Sequence, residues 1–194
     1  MYNGSMRTKY VVIVAILFAL ALGGFFLMQQ EAAPTTDGQN PAGDQHYSNA
    51  AYGLSFSYPS GYVLSEMDAP GSGERAHHVI TLIRREDVPL PVDGEGPPAI
   101  TIDIFQNDLD GASAETWIRN TSASNFKLGD GNLASTSVGG LLALSYRWSG
   151  LYEGTTIVVA QEKWVYAFTV TYLELGAPIV QDFVAIRDSV RISP

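Results

Sequence analysis

The chain contains no cysteine. That excludes disulfides, thiolate nucleophiles, cysteine-ligated metals and an acylated lipoprotein anchor. Basic residues are scarce: 11 Lys and Arg stand against 20 Asp and Glu, for a formal charge of −9. Such a balance repels phosphate backbones and anionic bilayers, and it argues against nucleic acid as a partner. Histidine occurs three times, and the sequence holds no G-x-S-x-G, phosphate loop or dinucleotide fingerprint. Ser72, in Gly71-Ser72-Gly73, lacks the context of a nucleophile elbow. We therefore expect no enzyme activity, no cofactor and no metal.

What is present begins with an apolar run. Tyr10–Met28 carries no charge over 19 residues, and twelve of them are Leu, Ile, Val or Phe. As a helix it would span about 28 Å, close to the hydrocarbon core of a bilayer. Arg7 and Lys9 precede it, and Glu31, Asp37 and Asp44 follow it. The positive-inside rule then keeps residues 1–9 in the cytoplasm and sends the C-terminal part outside. The expectation is a single-pass cell-membrane protein whose residues 10–28 contact the lipid bilayer. The alternative is a cleaved signal peptide, whose apolar core runs about 7–15 residues up to a small-x-small site. Ala19-Leu20-Ala21 fits that site crudely, but the run continues through Phe25, Phe26, Leu27 and Met28.

Residues 29–46 contain no aromatic or β-branched apolar residue. They read as a flexible linker with a root-mean-square reach of about 20–25 Å. Residues 47–194 follow as one extracytoplasmic domain. Leu54, Phe56 and Tyr58 alternate with small residues, which predicts a strand. Pro59-Ser60-Gly61 then turns the chain, and Tyr62–Met67 reads as the return strand. Further strands are expected at 77–84, 100–104, 132–138, 141–148, 155–161 and 164–173. Ser113 can cap a helix carrying Trp117 and Ile118. Pro178 opens a second helix, in which Ile179, Phe183, Ile186 and Val190 share one face. About seven to eight strands joined mainly by tight turns make a largely antiparallel sheet. With two helices covering it, the fold class is α+β.

The stretch YGLSFSYPSGY, Tyr52–Tyr62, meets a known pattern. Its aromatic-Gly-x-x-Phe-x-Tyr-Pro-x-Gly-aromatic opening resembles the PsbP-like domain family. The helix around Trp117, the Gly139-Gly140 pair ahead of an apolar-aromatic strand and the closing helix with Phe183 and Ile186 follow in the same order. The resemblance covers most of 47–194. It implies an α-β-α sandwich built on an antiparallel sheet, and it implies a binding or assembly scaffold without a shared catalytic signature.

Candidate chemistry is thin. His77 and His78 are adjacent on an expected strand, so they point to opposite faces and cannot chelate one ion together. A metal would need one of them plus a distant carboxylate such as Glu74; solvated strand-edge histidines are the simpler expectation. Gln106–Gly111 loosely matches a calcium loop through Asp108 and Asp110, but Gln106 and Trp117 occupy two ligand positions. A turn into a helix is the better reading. Aromatic residues cluster in the last third, and most should be core. Trp148, Tyr152 and Trp164 are the candidates for an exposed ligand or partner surface, with Trp148 and Tyr152 nearest the strand ends. The leading expectation is a membrane-anchored binding or assembly module for an envelope or membrane protein. A glycan- or small-molecule-binding domain around Trp148 is the second expectation, and a hydrolase the third.

Overall fold

The structure is a computed structural model that describes residues 43–69, 75–91, 95–107 and 110–193. The expected anchor at 10–28, the N-terminal segment 1–9 and most of the linker lie outside these residues, as do Ser72, Glu74 and Asp108. Among the described residues, no helix is long and apolar enough to cross a membrane.

Among the described residues, ten strands form two sheets. They are β1 (Gln45–Asn49), β2 (Leu54–Tyr58), β3 (Tyr62–Asp68), β4 (His77–Arg84), β5 (Ile100–Gln106), β6 (Ala134–Val138), β7 (Leu141–Ser149), β8 (Glu153–Ala160), β9 (Trp164–Tyr172) and β10 (Arg191–Ile192). Two helices join them, α1 (Ala114–Asn120) and α2 (Pro178–Ser189). The large sheet has the order β3-β4-β5-β9-β8-β7-β6, and every pair within it is antiparallel. The small sheet has the order β1-β2-β10.

Period-two alternation assigns side chains to the two faces of the large sheet. Ile80, Leu82, Ile100, Ile102, Ile104, Ile157, Val159, Tyr166, Phe168 and Val170 point one way, into a core shared with the small sheet and α2. Full burial of each aliphatic chain contributes about 1.5–3 kcal/mol. Ile179, Phe183 and Ile186 form the buried stripe of α2, and Pro178 occupies its first turn as expected. Tyr146, Trp148, Val158, Val165 and Ala167 point the other way, onto Ile118 of α1. The Ser113 hydroxyl accepts from the Thr116 backbone N–H and caps α1. The result is a sandwich with a layer on each face of the large sheet.

Two expectations need correction. The return strand Tyr62–Asp68 does not pair with β2. It pairs with β4 at the edge of the large sheet, while β2 pairs with β1 and β10. The turn at Pro59–Gly61 therefore carries the chain from one sheet to the other instead of closing a hairpin. Gln45 and His46, expected at the end of the linker, belong to β1. Both β1 and β10 are short and polar, and they acquire strand character only by pairing with β2.

The Tyr52–Tyr62 stretch shows why its residue types are needed. Gly53 has φ +59°, and a Cβ there would lie 2.3 Å from the Ser193 carbonyl oxygen. Phe56 is buried, and the Tyr62 hydroxyl donates to Asp182 of α2 at 2.7 Å. The segment thus ties β1, β10 and the closing helix to the large sheet.

Candidate functional site

The three sequence-predicted surface residues are not brought together. Trp148 projects from β7 into the α1-side core and is only 9% exposed. Its indole lies on Gly154, where a Cβ would come within 2.2 Å of the ring, and its Nε1–H donates to Thr156 Oγ1 at 3.0 Å. The expectation of an exposed Trp148 is therefore corrected: the absent side chain at Gly154 makes a slot for the ring, and the ring is core. Tyr152 lies in the β7–β8 turn, and its hydroxyl donates to the Gly96 carbonyl at 2.7 Å. Trp164 begins β9 at the opposite end of the sheet and packs on the other core. It meets Tyr52 edge-on at 5.1 Å, and the Lys163 ammonium lies 5.2 Å from its ring centre.

Beside Tyr52 and Trp164 lies the densest polar cluster. Register places Asp68 of β3 opposite His78 of β4, with Glu66 one pleat along on the same face. His78 Nδ1 lies 2.8 Å from Asp68, and Nε2 lies 3.1 Å from Glu66. Tyr52 stacks on the imidazole at 4.6 Å. The Tyr47 hydroxyl donates to the same Glu66 carboxylate at 2.7 Å. That bond, reinforced by His78, holds the Glu66 carboxyl below its ordinary value, while burial and the carboxylate push the Tyr47 phenol up.

His78 is thus buried on an interior strand, not solvated at an edge; the apolar alternation of β4 continues through it. His77 points to the other face, as expected, where it meets Asp103 at 2.8 Å and stacks on Phe105. Chemically, the His78 cluster is a clamp. The two carboxylates occupy opposite edges of one ring, so they cannot converge on a shared ion. Among the described residues, no group of three or more His, Asp or Glu is placed to hold a metal. The Tyr47 and Glu66 groups are both engaged, and the network fastens β1 to the large sheet.

Of the acidic turn, whose Asp108 lies outside the described residues, Asn107 and Asp110 make structural contacts. Asn107 is buried, its carboxamide accepts from Ala112 N–H at 2.9 Å and donates to the Gln161 carbonyl at 2.8 Å. Asp110 pairs with Arg75.

Sequence reasoning passed over a different set: Leu90, Leu128, Leu151, Leu173 and Leu175, all exposed in connections. The signal for them is leucine standing outside any alternation, as in Ser-Gly-Leu151-Tyr and Tyr-Leu173-Glu-Leu175-Gly. Beside Leu173, a shallow depression of about 150 Å³ is lined by Arg84, Glu86, Pro98, Tyr172 and Ile179, among others.

Layers, strand order and closing helix define an antiparallel α-β-α sandwich. The solution structure of cyanobacterial PsbP (CyanoP) from Synechocystis sp. PCC 6803 matches it with a TM-score of 0.52 at 14% identity, over 82% of this chain and 98% of that one. The domain has the PsbP-like fold, as the Tyr52–Tyr62 stretch implied. No family model and no curated protein matches the chain.

Proposed function

We propose that this chain is a membrane-tethered, non-catalytic binding or assembly module acting on an envelope or membrane protein. In this reading, residues 10–28 lie in the bilayer, residues 1–9 remain in the cytoplasm, and the sandwich works outside it. One observation carries the reading more than any other. Trp148, Trp164 and His78, side chains that could have built a ligand cleft, are packed into the two cores or the His78 clamp. What the domain offers is its surface. The PsbP-like fold is in keeping with a scaffold role, although fold likeness by itself is analogy. The glycan-binding alternative called for an exposed Trp148, and its burial speaks against that version.

The test is purification of the tagged full chain from detergent-solubilised membranes. A stoichiometric protein partner is expected. Recovery of the chain alone, under conditions that preserve other membrane complexes, would oppose the reading.

A further inference from the structure

The exposed apolar side chains are not scattered. Val88 and Leu90 lie in the β4–β5 connection, Leu173 and Leu175 in the β9–α2 connection, and Leu151 in the β7–β8 turn. Leu128 abuts that turn, 3.8 Å from where a Gly150 Cβ would stand. Register puts these connections side by side. Tyr62 pairs with Arg84, Leu82 with Ile100, Ile100 with Val170, Tyr172 with Glu153, and Glu153 with Ser149. Six of the nine exposed large hydrophobics among the described residues therefore stand at one end of the large sheet. Single exposed leucines need no explanation, but a gathering of them marks an interaction surface.

Two further observations say what covers it. First, the chain enters the domain at this end. Gln45 is paired with Tyr58, and the three-residue turn Pro59–Gly61 joins Tyr58 to Tyr62. Gly53 and Ser193, bonded to each other, mark the opposite end of the small sheet. Under the membrane-tethered reading proposed above, the chain coming from the membrane would reach the domain at this end. Second, the leucines are ringed by acid. Glu86, Asp87, Glu95, Glu153 and Glu174 lie in or beside the same connections. Arg84 is already held by Glu86 and Asp182, which leaves Arg85, Lys127 and the exposed Arg147 of β7 as the nearby basic groups, fewer than the acids around them. A net negative rim repels an anionic bilayer and a second copy of itself.

We infer that this end is a docking surface for a membrane-embedded or membrane-apposed protein whose contact patch is apolar at its centre and rimmed by Lys and Arg. The inference rests on the binding-module reading and specifies its surface and the partner's chemistry.

The test places a photoreactive benzophenone amino acid at Leu151, at Leu173 or at Leu142 in the full chain, one position at a time, in membranes of the producing cell. Leu142 is 78% exposed, against 64% for Leu151 and 73% for Leu173, so it controls for mere accessibility. It lies near the start of β7, away from the leucine end. The expected result is an adduct with a different polypeptide from positions 151 and 173. Its yield should clearly exceed that from position 142. It should also fall as salt rises from about 0.1 M to about 1 M. The cross-linked peptide, mapped by mass spectrometry, should carry Lys or Arg beside apolar residues.

Adducts with lipid or with a second copy, a peptide without basic residues, equal yield from all three positions, or no adduct at 151 and 173 would each overturn the inference. An adduct confined to position 142 would remove this surface while leaving a binding module standing. If co-purification also fails to recover any partner, the parent reading falls with it.

Discussion

Replacing Trp148 by alanine separates a core indole from a surface one. The ring is 9% exposed, lies on Gly154 and donates to Thr156. Burying an aromatic ring removes about 150–250 Å² from water, which at about 25 cal/mol/Å² gives roughly 4–6 kcal/mol as an upper bound. Truncation of buried aromatics costs about 3–5 kcal/mol in practice. The lost hydrogen bond adds little, because Thr156 retains Thr169 at 3.0 Å and no hydroxyl is orphaned. Trp148→Ala should therefore lower stability by about 3–5 kcal/mol, a large part of what holds a domain of this size. The assay is urea unfolding of residues 43–194 followed by far-ultraviolet circular dichroism, with the slope unchanged between variants. A loss of about 0.5 kcal/mol or less, the range of ordinary surface substitutions, would refute the burial and restore Trp148 as a surface candidate.

Other perturbations follow from the same geometry. Gly154→Ala should cost about 1–3 kcal/mol by driving a methyl into the indole, and much less in the Trp148→Ala background; additive urea midpoints would contradict the slot. Phe183→Ala should cost about 3–5 kcal/mol, since its ring is buried between α2 and the sheets; a thermal midpoint close to that of the parent would speak against this packing. The Glu66 carboxyl is held below its ordinary 4.5, so its stabilisation is full above the unfolded value and is lost as pH falls through the folded one. Tyr47→Phe removes the main cause and should move acid unfolding to higher pH; an unmoved acid limb would disprove that bond's role. At the alkaline side, burial pushes the Tyr166 phenol up to about 12, so its contribution is lost as pH rises from the unfolded value of 10.0 toward that point. Ultraviolet phenol titration of Tyr166→Phe should lack one late-titrating group.

Much of the sandwich could be read from the chain because its signals are local. Ile100, Ile102 and Ile104 alternate, Ser113 caps, and Ile179, Phe183 and Ile186 recur at helical spacing; the structure places each as expected. Sheet partnership is not local. Nothing within Leu54–Tyr62 states that β2 leaves its sequence neighbour for β1 and β10, and the pairing Ser55–Arg191 links residues far apart in the chain. The fate of Trp148 was hidden for a similar reason. A tryptophan near a strand end reads as exposed until Gly154, on the neighbouring strand, is seen directly opposite it. The His78 clamp likewise depends on register, which sets Asp68 across from it. The leucine end escaped notice because its members come from four separate connections, each carrying only one or two residues.

The most direct test of the central claim compares two full-length chains, the parent and a Leu151→Asp, Leu173→Asp double variant, purified in parallel from solubilised membranes. Both leucines are well exposed, so the fold tolerates the change. The account predicts a stoichiometric protein partner with the parent and a loss of about tenfold or more with the variant, as expected when charge enters the centre of an interface. A partner retained in full by the double variant, or absent from the parent, would contradict it.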